Sequence, residues 1–75
     1  MIEARADIVA SVWKLLVREG DPVGAGDQIA VLESMKMEIP VVAPVGGHVT
    51  RVCVDEGQIV QEGDAIVEID SSAGA

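Results

Sequence analysis

Apolar residues in this chain come in short bursts punctuated by Glu-Gly and Gly-Asp pairs, with no sustained stripe of period 3.6. Runs such as Gln28-Ile29-Ala30-Val31-Leu32 and Val49-Thr50-Arg51-Val52-Cys53-Val54 combine β-favouring residues with flanking turn signals. That combination predicts strands and an all-β fold. We place strands at Ala6–Val9, Val12–Val17, Gln28–Leu32, Glu38–Val42, Val49–Val54 and Ala65–Ile69, and short extended pieces around Val23 and Val60 complete eight. Val12–Glu19 tolerates a helix as well, through Trp13, Leu15 and Leu16. The expected core is Val12, Leu15, Val17, Val23, Ile29, Val31, Val41, Val49, Val52, Val54, Val60, Ile66 and Ile69. The spacing of Val49, Val52 and Val54 breaks strict alternation, which predicts a bulge near Thr50-Arg51.

The pattern also repeats. A shift of 37 positions lays Val12 on Val49, Lys14 on Arg51, Glu19-Gly20 on Glu56-Gly57, Val23 on Val60, Gly26-Asp27 on Gly63-Asp64 and Ile29 on Ile66. The repeat favours a strand over a helix at Val12–Glu19, because its counterpart is β-branched and poor in helix formers. Turn chemistry recurs at matched places, and Asp27 and Asp64 follow glycines where an acidic side chain can bond the turn backbone. Two copies, too few for an open solenoid, predict a closed structure with an approximate two-fold axis. The first copy ends near Glu33 and the second begins near Val41, so the Met35-Lys36-Met37 hairpin is the joint between them, and its two-fold counterpart is the region carrying both chain ends. The first copy has Ala10 where the second has Gly47, a change small enough to fit one fold.

Composition narrows the possible functions. The 75 residues suffice for one domain with a small core, folded over about Ala6 to Asp70. The net charge of -8 opposes binding to nucleic acid or an anionic membrane and favours solubility. The N-terminus lacks the pattern of a signal peptide, and no apolar run is long enough to span a bilayer. One cysteine, Cys53, excludes an internal disulfide, so a cytoplasmic location is expected. One histidine, His48, reads as a solvated turn residue; it cannot assemble a nucleophilic triad or, with a lone cysteine, a metal site. Cys53 reads as a small core residue, and Lys14 and Arg51 as equivalent solvated strand positions.

Glu33-Ser34-Met35-Lys36-Met37-Glu38, followed by Ala43-Pro44 and Gly47-His48-Val49, resembles the biotinyl domain of biotin carboxyl carrier proteins. The likeness runs from about Ala6 to Asp70. It implies a flattened β-barrel, a barrel-sandwich hybrid of two four-stranded antiparallel sheets with pseudo-two-fold symmetry. It further implies biotin in amide linkage to Lys36, framed by Met35 and Met37 and preceded by Glu33 and Ser34. The implied partners are a biotin protein ligase, a biotin carboxylase and a carboxyltransferase that passes the carboxyl group to an acyl-CoA, acetyl-CoA among them, or to a keto acid. Such a domain is a non-catalytic, monomeric carrier that supplies proximity.

Two departures from the carboxylase subunits stand out. No Ala/Pro-rich linker is present, which resembles a free-standing biotinylated domain. Arg18 to Asp27 matches its counterpart without extra residues, leaving no room for the thumb that folds over biotin in some bacterial carriers, so a more mobile biotin is expected. Two other functions remain open: a lipoyl domain, which usually has an acidic residue where Met35 stands, and an unmodified adaptor barrel, which leaves the Met-Lys-Met tip unexplained.

Overall fold

A computed structural model describes residues 2–71. Its eight strands are β1 (Ile2–Arg5), β2 (Ala10–Leu15), β3 (Pro22–Val23), β4 (Gln28–Ser34), β5 (Met37–Val42), β6 (Gly47–Val52), β7 (Ile59–Val60) and β8 (Ala65–Asp70). They form two four-stranded sheets, ordered β1-β8-β6-β3 and β5-β4-β2-β7, with antiparallel pairing throughout. The first element differs from expectation. Ala6–Val9 is irregular, with Ile8 and Val9 exposed, and the strand lies earlier, at Ile2–Arg5. The adjacent apolar pair Ile8-Val9 mimics a strand. The repeat, however, places Asp7 on Pro44 and β1 on Ile39–Val42, and proline marks the end of that ladder.

The repeat is a structural symmetry. Gly20 N donates to Val49 O and Gly57 N to Val12 O, both at 2.7 Å. Gly26 N donates to Ala43 O and Gly63 N to Ala6 O, both at 2.8 Å. Every one of these bonds joins the first copy to the second. The sheets show the same exchange: each has a central pair from one copy and both outer strands from the other. A single copy therefore leaves its central pair without outer neighbours, and the two copies must fold together.

The turns follow the acid-after-glycine pattern. Asp27 Oδ2 accepts from Gly24 N at 2.8 Å, and Asp64 Oδ2 accepts from Gln61 N at 2.9 Å. The intervening Gly26 and Gly63 both have φ of 90°, a conformation that a side chain would strain.

Bulges set which residues face inward. The ladders shift register between Val12 and Lys14 in β2 and between Val49 and Arg51 in β6, the latter at the expected Thr50-Arg51 position. A further shift lies between Gln28 and Ala30. It puts Ile29 and Ala30 both inside, after which Leu32 rather than Val31 is fully buried. Val31 is half-buried, which corrects its assignment to the core. The second copy follows the same course through Ile66, Val67 and Ile69. Val12, Ile29, Val41, Val49, Val54, Val60, Ile66 and Ile69 form the core as expected, together with small residues such as Ala4, Ala6 and Ala43; Leu15, Val17, Val23 and Val52 pack half-buried against it.

Cys53 is a half-buried thiol against this core. Burial pushes its pKa up, and the nearby negative charge of Glu68 adds to the effect while Arg51 opposes it. Less thiolate means slower alkylation. At pH 8 a maleimide should therefore label Cys53 more slowly in the folded protein than in urea, and equal rates would contradict this account of the thiol.

Candidate functional site

Lys36 sits at the tip of the β4–β5 hairpin. Ser34 pairs with Met37, so only Met35 and Lys36 make the turn. A two-residue connection that matches the right-handed twist of the strands needs positive φ at both positions, normally supplied by Asn-Gly. Here Met35 has φ of 51° and Lys36 has φ of 64°. Neither side chain favours this conformation, at a cost of roughly 1 kcal/mol or more per residue. The strain is accepted at the position where the lysine is displayed. Met35→Gly should accordingly stabilise the fold by about 1 kcal/mol, read as a higher urea midpoint.

The five expected site residues come together on this hairpin. Met35 is 91% exposed and Met37 63%, so neither is core packing. Lys36 is exposed and makes no ion pair or hydrogen bond among the described residues. Glu33 is exposed on β4 directly opposite Glu38 of β5, while Ser34 is half-buried at the base of the turn. Two like charges facing each other across a ladder destabilise it slightly, and they leave the hairpin base negative. The other lysine, Lys14, is held differently: it lies in β2 with Nζ 5.0 Å from the Trp13 ring centroid. No group of metal-binding side chains occurs among the described residues. Among the described residues no carboxylate or imidazole pairs with the Lys36 amine. The left-handed turn was not legible in the sequence, since Met-Lys carries none of the usual signals for it.

The pairing Ile2↔Ile69 is the symmetry counterpart of Leu32↔Ile39 below the hairpin. The ends of the described chain therefore occupy the place equivalent to the lysine turn, in the other sheet.

An exposed lysine on the hairpin joining two copies of one β unit has a match among known proteins. The biotin/lipoyl attachment family, described as "Biotin-requiring enzyme", matches residues 4–69. The chain belongs to this family: it is a biotinyl domain. Covalently bound biotin is the cofactor of such a domain, and an unpartnered amine on an open turn fits an amide linkage. The biotinylated protein TB7.3 homolog of Mycobacterium leprae is 54% identical over 67 residues, covering 89% of this chain and 94% of that protein. The biotin/lipoyl attachment protein of Bacillus subtilis is 45% identical and covers 87% of this chain and 89% of its own length. A single-chain, multi-domain long-chain acyl-CoA carboxylase superimposes with a TM-score of 0.82 at 36% identity; the match spans 88% of this chain but 7% of that one. The biotinyl domain thus has relatives of its own size and relatives built into large carboxylases.

Proposed function

We propose that Lys36 carries biotin and that this biotinyl domain shuttles carboxyl groups between a biotin carboxylase and a carboxyltransferase. The observation that carries the reading is the Lys36 amine, exposed and unpartnered on a strained two-residue turn between two exposed methionines. A biotin protein ligase supplies biotin as its adenylate. The Lys36 Nζ attacks the acyl carbon, the new N–C bond forms, the C–O bond to phosphate breaks, and AMP leaves with that electron pair. The amine proton passes to a base of the ligase, as no base among the described residues pairs with Nζ. Acylation removes one positive charge and takes the formal net charge from -8 to -9.

The domain's own part is display. Exposed Met35 and Met37 offer flexible apolar contacts on either side of the amine, suited to a surface that must fit more than one enzyme. Tethering then presents the cofactor at high effective concentration to each active site. Pyruvate carboxylase of Bacillus subtilis, 37% identical over 67 residues, supports the carboxylase setting.

The test is intact-mass measurement after incubation with a biotin protein ligase, ATP and biotin, with the modified residue located by peptide mapping. One biotin increment on Lys36 is expected; a lipoyl increment under lipoylating conditions with none from biotin would favour oxidative acyl transfer instead. Met35→Asp, which gives the hairpin the acidic residue usual in lipoyl domains, should slow biotinylation about tenfold with the fold intact. Full-rate modification of that variant would remove the framing role from Met35.

A further inference from the structure

The internal symmetry provides a control for reading the outer surfaces. Equivalent positions of the two sheets have the same register and the same bulge, so they face the same structural demands. Their outward side chains nevertheless differ in kind. On the β5-β4-β2-β7 sheet, which carries the lysine hairpin, the outer face includes Trp13, Val31, Pro40, Val42 and Ile59. A shift of 37 turns these into Thr50, Glu68, Glu3, Arg5 and Pro22 on the other sheet. Trp13 is 44% exposed, Val42 45% and Ile59 67%. The fold does not require an apolar outside here, because its twin carries mostly charged and polar residues on the same scaffold. Lys14, opposite Val31 and over the Trp13 ring, lies on this face as well, so it is apolar-rich rather than uniformly apolar; exposed apolar side chains gathered on one face mark an interaction surface.

We infer that this face is the platform on which the biotin protein ligase seats the domain while it acylates Lys36; the inference rests on the reading of Lys36 given above. Three observations favour the ligase. First, the face is continuous with the reacting hairpin, which grows from β4 and β5 of the same sheet. The ligase must bring Nζ itself to bonding distance, so its surface has to lie against that hairpin. Second, four hairpin residues offer far less than the ~800 Å² per partner of an ordinary interface, and the adjoining sheet must supply the rest. Val31 is only about 10 Å along β4 from Ser34 at the base of the turn, within such a footprint. Third, Glu33 and Glu38 stand side by side between the apolar face and the turn, so the matching enzyme surface has an apolar centre with basic residues beside it. A carboxylase acts on the biotin ring and not on Nζ, so its chemistry does not by itself require that approach.

The experiment measures the initial rate of biotinylation by intact mass, with a bacterial biotin protein ligase, ATP and biotin, as the apo-domain concentration is varied. Trp13→Thr and Val31→Glu install the residues of the twin sheet. Each should raise KM for the domain about tenfold with kcat unchanged, as expected for loss of an anchoring contact. Arg51→Gln on the charged sheet should leave both constants at wild-type values. Thermal unfolding verifies the fold, and if Trp13→Thr fails to fold, Val31→Glu carries the test. Unchanged KM in folded variants overturns the inference, as does a defect confined to later carboxylation by a biotin carboxylase. A wild-type domain that takes no biotin at all overturns the reading of Lys36 itself, a result distinguishable from either of these.

Discussion

Lys36→Arg is expected to take up no biotin at all, whereas Lys14→Arg should be modified to completion. Arginine keeps the positive charge and much of the length, so the turn and its surroundings are retained. What it lacks is a nucleophile: the guanidinium stays protonated at any pH the ligase tolerates, and its electron pairs are delocalised. The variant thus separates the chemistry of the amine from the electrostatics of the site. Lys14 is the internal control because it is the other lysine of the chain, and it projects from strand β2 beside Trp13 and not from a turn. The readout is one biotin increment in the intact mass, present in Lys14→Arg and absent in Lys36→Arg. A modified Lys36→Arg protein would move the attachment point elsewhere and end the proposed function.

The second large effect falls on stability, at Gly47. A Cβ built on Gly47 would run into the carbonyl oxygen of Asp70 and come within 2.9 Å of its carbonyl carbon and 3.0 Å of Ser71 Cα. All three are backbone atoms, so no side-chain rotation relieves the contact, and Gly47 also begins β6 with a φ of 159°. Gly47→Ala should therefore cost about 3 kcal/mol, comparable to severe overpacking of a core. For a domain this small that corresponds to a fall in Tm of roughly 15 °C. Gly46→Ala is the neighbouring control. Its added Cβ would lie 3.5 Å from Val23 O, an ordinary contact, and its Tm should stay within a few degrees of wild type. Equal melting of the two variants would show that the β6–β8 ladder yields at this point. The result also bears on the repeat, because Ala10 occupies the equivalent position with its Cβ buried and accommodated. The substitution that looks minor in the sequence marks a place where the two copies are not interchangeable.

Much of the candidate site was legible before any coordinates. The doubled pattern of Val, Glu-Gly, Val and Gly-Asp placed Lys36 at the joint of two β units, and the structure puts it on the hairpin turn there. Met35 and Met37, expected to frame the lysine, both lie exposed beside it. The errors were of a different kind. Straight alternation points to Val31 as core, whereas the bulge between Gln28 and Ala30 turns Leu32 inward in its place. Moving Ile69 back by 37 would have pointed to Leu32. The hydrophobicity of Ile8-Val9 suggests a strand there, whereas the repeat matches Ile39–Val42 to Ile2–Arg5, where the first strand lies.

The division follows the range of the forces involved. Strand propensity, turns after glycine and the acid that closes them depend on residues three or four apart, as at Gly24 and Asp27, and the chain determines them by itself. The exchange of outer strands between copies, the left-handed backbone at Met35 and Lys36, the close approach of Asp70 to Gly47 and the contrast between an apolar and a charged outer face do not follow from local sequence. The turn is set by the pairing of β4 with β5, and the others arise when segments from Val52↔Val67 to Ile2↔Ile69, far apart in the chain, are brought into register, which only the folded barrel sets.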